Sequence, residues 1–305
     1  MQAARPATEL SDITATAPCR LLSVVRMGFF ANEVLADQSD VEVIAVFRRS
    51  AYLRLAGGLV CLGDPAIGDA PLNLLFQYPT HEAFASMAPG MRGRLLPERM
   101  TLPGLTVTLA GAAMWSPPAL LAQSPTRIRG ATSLLDQMLP ANVPGEGLGP
   151  LIRRDAVAAT LVQRAAAPAL AALAAWADGR SGAPLPRPAI AALLGLGPGL
   201  TPSGDDALAG FAVGLALLGA TGLRDRLARE VLAQAQFGTN EISTAHLMAA
   251  MRGGLAADLH RVVDAAVAED RVALGHGFAA LAKGGHNSPW DALAGLITAL
   301  RGRAC

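Results

Sequence analysis

The chain has 305 residues and 31.2 kDa, room for about two domains, and its 25 basic and 24 acidic side chains give no overall attraction to nucleic acid or anionic membrane. Hydrophobic residues make up 52% and charged residues 16%, which excludes disorder for most of the chain. The 32 glycines and 21 prolines follow no repeat period, which excludes collagen-like and solenoid architectures. At the N-terminus, Glu9 and Asp12 stand where a signal peptide would be apolar. Cys19, Cys61 and Cys305 are odd in number and far apart, with no CxxC or Cys/His cluster. That spacing argues against a disulfide framework or structural zinc, and a reducing cytoplasm is the expected compartment.

Short apolar runs separated by turn residues follow: Leu21–Val25, Val41–Phe47, Gly58–Leu62, Leu72–Phe76 and Leu105–Leu109. The second is β-branched and aromatic, and the last alternates apolar and polar with a period of two, so both predict strands. Gly57-Gly58, Gly63-Asp64-Pro65 and Gly68-Asp69 supply turns, and a short helix is expected around Thr80–Met87. Met100–Thr126 is the longest uncharged stretch, but four prolines and several threonines prevent a single membrane helix. Ala141–Pro150 is a Pro/Gly cluster that reads as the interdomain connection.

Beyond it the chain is Ala- and Leu-rich with helical spacing. Helices are predicted over Asp155–Trp176 (kinked or divided at Pro168), Pro188–Leu194, Asp205–Leu218, Leu223–Gln236, Glu241–Arg252, Ala256–Ala268 and Asp291–Arg301. Ala207–Leu223 is the most apolar of these stretches, and its glycines, alanines and preceding aspartates favour a buried core helix over a membrane span. So many small residues predict closely packed helices. The expected fold is α+β: a mostly-β domain over residues 1–143 and an all-α domain over residues 144–305.

Three segments of the second half can carry chemistry. The first runs from Gly195 through Gly197, Pro198, Gly199, Leu200, Thr201, Pro202, Ser203 and Gly204 to Asp205-Asp206. Ser203 is expected as the N-cap, with Asp206 closing a shortened capping box. A cap needs far fewer glycines and prolines, and a Gly-rich loop feeding a helix start offers N–H groups to a phosphate or carboxylate. The paired carboxylates oppose a bare anion unless Mg²⁺ or an arginine intervenes. The second segment is Thr239-Asn240-Glu241-Ile242-Ser243-Thr244-Ala245-His246. There Thr239 or Asn240 caps a helix, and Ser243 and His246 share one of its faces. The third is Lys283-Gly284-Gly285-His286-Asn287-Ser288-Pro289-Trp290-Asp291, with Ser288, Pro289 and Asp291 at the spacing of a capped start. That cap leaves His286 and Asn287 unexplained. Lys283 is the only lysine, so the chain has no GK[ST] phosphate loop and no spare lysine for a Schiff base.

The order of these motifs, ending in Gly285-His286-x-Ser288-x-Trp290-Asp291-x-Leu293-x-Gly295, resembles a bacterial family that includes the AllH-like subunit of oxamate carbamoyltransferase. The likeness is dense over Gly195–Gly295 and thin before it, resting there on Arg49-Ser50-Ala51-Tyr52-Leu53 and the Gly/Pro junction. Pro289 departs from the glycine common in the family. The resemblance implies a role in breaking down allantoin-derived oxalurate, with phosphate, to oxamate and carbamoyl phosphate. It also implies partner subunits, one resembling an acyl-CoA synthetase and one of a second uncharacterised family.

Both lines of reasoning lead to one expectation. Gly197, Gly199, Thr201, Ser203, Gly204, Thr239, Asn240, Ser243, Asn287 and Ser288 line an anion site. Asp205, Asp206, His246 and His286 carry the chemistry. No organic cofactor is expected, and Mg²⁺ is the one ion the carboxylates would suit. Two rivals are a noncatalytic scaffold or regulatory subunit and a metal-dependent hydrolase using Asp205 and Asp206.

Overall fold

The structure, a computed structural model, describes residues 20–178, 183–284 and 287–304. Among the described residues, nine strands come first: β1 (Arg20–Gly28), β2 (Ser39–Val46), β3 (Ser50–Leu55), β4 (Gly58–Gly63), β5 (Asn73–Phe76), β6 (Arg92–Leu96), β7 (Arg99–Leu102), β8 (Leu105–Thr108) and β9 (Ala113–Trp115). They pair in the order β5-β4-β3-β2-β6-β7-β8-β1-β9, and β1 also pairs with β5, so eight strands close into a barrel. Closure leaves no unpaired edge within the ring. Residues 20–23 of β1 pair with β8, and residues 26–28 pair with β9, so the two short strands share one side of β1. The alternation read at Leu105–Leu109 is realised in β8, with Leu105 and Val107 buried and Thr106 and Thr108 turned outward. Two short helices, α1 (Phe29–Val34) and α2 (His81–Ala85), decorate the barrel.

The helical part comprises α3 (Pro125–Met138), α4 (Leu161–Ala177), α5 (Arg187–Leu193), α6 (Ser203–Leu217), α7 (Thr221–Gly238), α8 (Glu241–Met251), α9 (Ala257–Val267), α10 (Arg271–Gly284) and α11 (Ser288–Ala304). The α+β expectation holds, with two helices more than the sequence signals. The α3 helix falls before the Pro/Gly cluster, yet Ile128, Ala131, Leu134 and Leu135 pack in the helical core. The α10 helix starts where Asp270 Oδ1 accepts the N–H groups of Val272 and Ala273. The first predicted helix begins at Leu161 rather than Asp155, because Thr160 and Gln163 form a reciprocal capping box there. Pro168 lies inside that continuous helix and does not divide it. Among the described residues no helix is long and apolar enough to cross a membrane.

The centre of the helical layer is α6, in which every residue except Asp206 is buried. It runs alongside α11, with their N-termini at the same end: Thr201 meets Ser288 there, and Gly214 faces Ala299 further along. A Cβ on Gly210 would fall 1.7 Å from the Ala292 carbonyl oxygen, and one on Gly295 would fall 1.8 Å from that of Ala207. Backbone therefore touches backbone along this pair, as the small-residue composition predicts. The α8 helix joins the two layers. Its Ile242, Ala245 and Ala249 enter the barrel core, while Leu247, Ala250 and Met251 enter the helical core. Arg252 grips Glu33 through two 2.7 Å bonds across the same junction.

Candidate functional site

Three helix starts, α6, α8 and α11, surround a polar cluster at the junction with the barrel. The loop before α6 reaches it through Gly195, Gly197 and Gly199, all at positive φ (71°, 114° and 97°). Side-chain-bearing residues resist that conformation, which is why glycines recur beyond any need for a cap. A Cβ on Gly204 would lie 2.0 Å from the Leu193 carbonyl oxygen, so this glycine lets α6 press on the end of α5. Its N–H is used by the Leu196 carbonyl. Those of Gly197, Gly199, Leu200, Thr201 and Ser203 find no protein acceptor among the described residues.

Ser203 is not the N-cap. It is the first helical residue, Pro202 holds the cap position, and no side chain caps α6. Ser203 is buried, and its hydroxyl lies near enough to Asp291 to oppose the rise in that carboxyl's pKa. The capping box expected from Asp206 is likewise absent, because that side chain lies with Ser288 and Thr201.

The two aspartates have different surroundings. Asp205 is 1% exposed, and three donors reach its carboxylate. Oδ1 accepts the Gly195 N–H at 2.8 Å, and Oδ2 accepts the hydroxyls of Ser243, at 2.6 Å, and Thr239. This carboxylate ties the loop, the end of α7 and the start of α8 to α6. Asn240 caps α8 by accepting the Ser243 N–H at 3.0 Å, resolving the choice between Thr239 and Asn240. Thr239, Asn240 and Ser243 thus assemble around Asp205.

Asp206 Oδ2 is buried without a partner. Burial pushes its carboxyl well above the ordinary carboxylate range, and the neighbouring Asp291 and Asp205 add to the rise. The hydroxyls of Ser288 and Thr201, 2.7 Å apart, oppose it. Asp291, 1% exposed, accepts the Leu148 N–H at 2.5 Å and is pushed up to about 6, chiefly by burial. It pins the Pro/Gly-rich Ala141–Pro150 stretch to α11 rather than capping the helix. The Asn287 carbonyl receives the first helical N–H groups of α11, those of Trp290 and Asp291, while its side-chain Oδ1 is buried and unpartnered. His286 lies outside the described residues.

His246 faces the barrel. Its Nε2 is 2.9 Å from the Tyr52 hydroxyl, with the two rings edge to face at 5.9 Å. Burial lowers its pKa to about 4. Burial first, then Cys61 and Asp206, raise that of the Tyr52 phenol, which places the phenol within electrostatic reach of the aspartate. Burial also pushes the Cys61 thiol up to about 12. Tyr52 is a site residue that reasoning on motifs missed, although it stands inside the Arg49–Leu53 segment that carries the N-terminal part of the resemblance.

No group of three or more His, Cys, Asp or Glu side chains among the described residues is arranged to hold a metal ion. With both Asp205 oxygens engaged by protein donors, the aspartate pair does not present a two-carboxylate face to Mg²⁺.

Residues 193–300 match a protein-family model described as "Oxamate carbamoyltransferase subunit AllH". The matched span contains the loop before α6, the Asp205 hub and the start of α11, and it leaves out the barrel. No curated protein matches the chain, and no solved structure does.

Proposed function

From the likeness of residues 193–300 to the oxamate carbamoyltransferase subunit family, we propose that the chain is a subunit of a carbamoyltransferase that converts oxalurate and phosphate to oxamate and carbamoyl phosphate. In this reading a phosphate oxygen attacks the carbamoyl carbon, the bond from that carbon to the oxamate nitrogen breaks, and the nitrogen gains a proton. Asp206 supplies the proton and recovers one from the phosphate. The observation that carries this assignment is the buried, unpartnered Oδ2 on the one α6 residue that is not wholly enclosed.

The electrostatics support the same division of roles. A raised carboxyl keeps its proton and does not repel an incoming anion, which removes the objection that paired aspartates pose to phosphate. Here Asp206 is pushed toward the protonated form and His246 toward the neutral one, so the proton donor is Asp206 and not His246. The free N–H groups of Gly197, Gly199, Leu200, Thr201 and Ser203, at the positive end of α6, suit the phosphate or the oxamate carboxylate. Asp205 holds these parts in place. The parallel start of α11 brings a second positive helix end to the same point. The partner subunits are of the acyl-CoA-synthetase-like kind and of a second family.

The test is carbamoyl phosphate formation from oxalurate and phosphate by this chain combined with candidate partner subunits. Activity that disappears when this chain is omitted supports the reading. Unchanged activity without it favours a scaffold role. A general acid must hold its proton, so turnover should fall as pH rises through the folded-state pKa of Asp206. A rate that stays flat as pH rises from neutral far into the alkaline range would contradict the assignment.

A further inference from the structure

The barrel also contributes to the site. Tyr52 stands on β3, paired with Cys61 of β4, and its hydroxyl meets His246 Nε2 at 2.9 Å. Its ring is held edge to face against His246 on one side and against Phe47 on another, at 5.9 and 6.3 Å between centroids. The phenol proton has the imidazole nitrogen within hydrogen-bond distance, with the Cys61 sulfur as a further neighbour. Thiol sulfur is a weak acceptor, whereas an imidazole nitrogen lone pair is a strong one. The better match puts the phenol proton on the bond to Nε2, and the imidazole proton must then sit on Nδ1. The Nδ1 atom finds no protein partner among the described residues.

We propose that Tyr52 is a positioning residue that fixes His246 in its Nδ1–H form, so that the imidazole serves the site as a neutral hydrogen-bond donor to a ligand oxygen. The inference rests on the reading given above for its choice of ligand, an oxygen that gains negative charge when a carbamoyl carbon is attacked. A neutral donor suits that task, because it stabilises the developing charge without taking part in the proton transfer assigned to Asp206. The lowered pKa of His246 is consistent with it, since burial keeps the ring uncharged. The arrangement also explains why the barrel and the helical layer are clamped at this junction. The hydrogen bond spans residues 52 and 246, and the Arg252–Glu33 grip at the other end of α8 holds the helix that carries His246.

Long-range proton–nitrogen NMR on the full chain, with His246→Gln to assign the ring signals, reads the tautomer directly. The Nδ1–H form is expected, and an Nε2–H form overturns the proposal. Tyr52→Phe removes only the hydroxyl. It should give a mixed or inverted tautomer, and in the reconstituted complex kcat should fall about 10- to 100-fold while KM changes little. If the wild-type tautomer and full turnover both persist in Tyr52→Phe, the proposal fails. If no partner combination turns over oxalurate, the functional reading fails separately, and the tautomer in the wild type and in Tyr52→Phe decides this one.

Discussion

Asp205→Ala should lower the stability of the chain by about 3–5 kcal/mol, a large part of the 5–15 kcal/mol that holds a typical fold together. The substitution strands the Gly195 N–H and the hydroxyls of Thr239 and Ser243 in a place that water hardly reaches. The hydroxyls can rotate toward other acceptors, but the Gly195 N–H is fixed by its backbone, and such an orphan costs about 1–3 kcal/mol. Asp205→Asn keeps one good acceptor and should lose about half as much. Urea unfolding of the isolated chain measures both. A loss below about 1 kcal/mol for Asp205→Ala would mean that the hub does not hold the three helix starts together.

The second large effect concerns the contact between α6 and α11. Gly295→Ala adds one methyl group 1.8 Å from the Ala207 carbonyl oxygen, and Gly210→Ala adds one 1.7 Å from that of Ala292. In each case the obstacle is backbone, so the helices must separate. Overpacking of this kind costs about 1–3 kcal/mol or more, outweighing the gain of about 1 kcal/mol that alanine brings to a helix. Separation also carries Ser288 away from Thr201 and Asp206, and a shift of about 1 Å at a reacting centre can cost about 100-fold in rate. Gly275→Ala in α10 is the control, because a Cβ there meets nothing within 4 Å. It should leave stability unchanged or raise it by up to about 1 kcal/mol. If Gly295→Ala unfolds with the same midpoint as Gly275→Ala, the close packing is not what aligns the two helix starts.

The sequence showed where the polar segments lie, but not how they divide their work. Helix-forming composition and recognisable ends located α5 to α9 and α11 to within a few residues. The α10 helix escaped notice because the turn before it places Glu269 at a φ of 55°, a position usually marked by glycine. The hairpin between β6 and β7 hides its turn in the same way, with Glu98 at 56°.

Capping residues mislead for a different reason. Ser203 and Asp291 occupy positions that suit caps, yet they face each other across two helices once α6 and α11 pack together, and Asp291 takes the Leu148 N–H. Spacing along one helix contains no record of that partner. Asp205 and Asp206 are adjacent and chemically identical, and only burial and neighbours separate a fully bonded hub from a carboxyl with a free oxygen. Tyr52 lay too far along the chain from every helical motif to be joined to them by pattern, since it takes barrel closure and the docking of α8 to bring it to His246.

The central claim is that Asp206 is the proton donor of a carbamoyl transfer, and one comparison tests it most directly. Oxalurate phosphorolysis by the reconstituted complex would be measured for wild type and Asp206→Asn, with thermal unfolding of the isolated chain read in parallel. The folded state raises the carboxyl's pKa, so this group weakens the fold as pH climbs from the ordinary carboxylate range toward that raised value. Asparagine removes that loss. The predicted result is a fall in kcat of about 100-fold or more, with assembly intact and a melting temperature at pH 7 that is unchanged or higher. Full turnover by Asp206→Asn in an assembled complex would contradict the account.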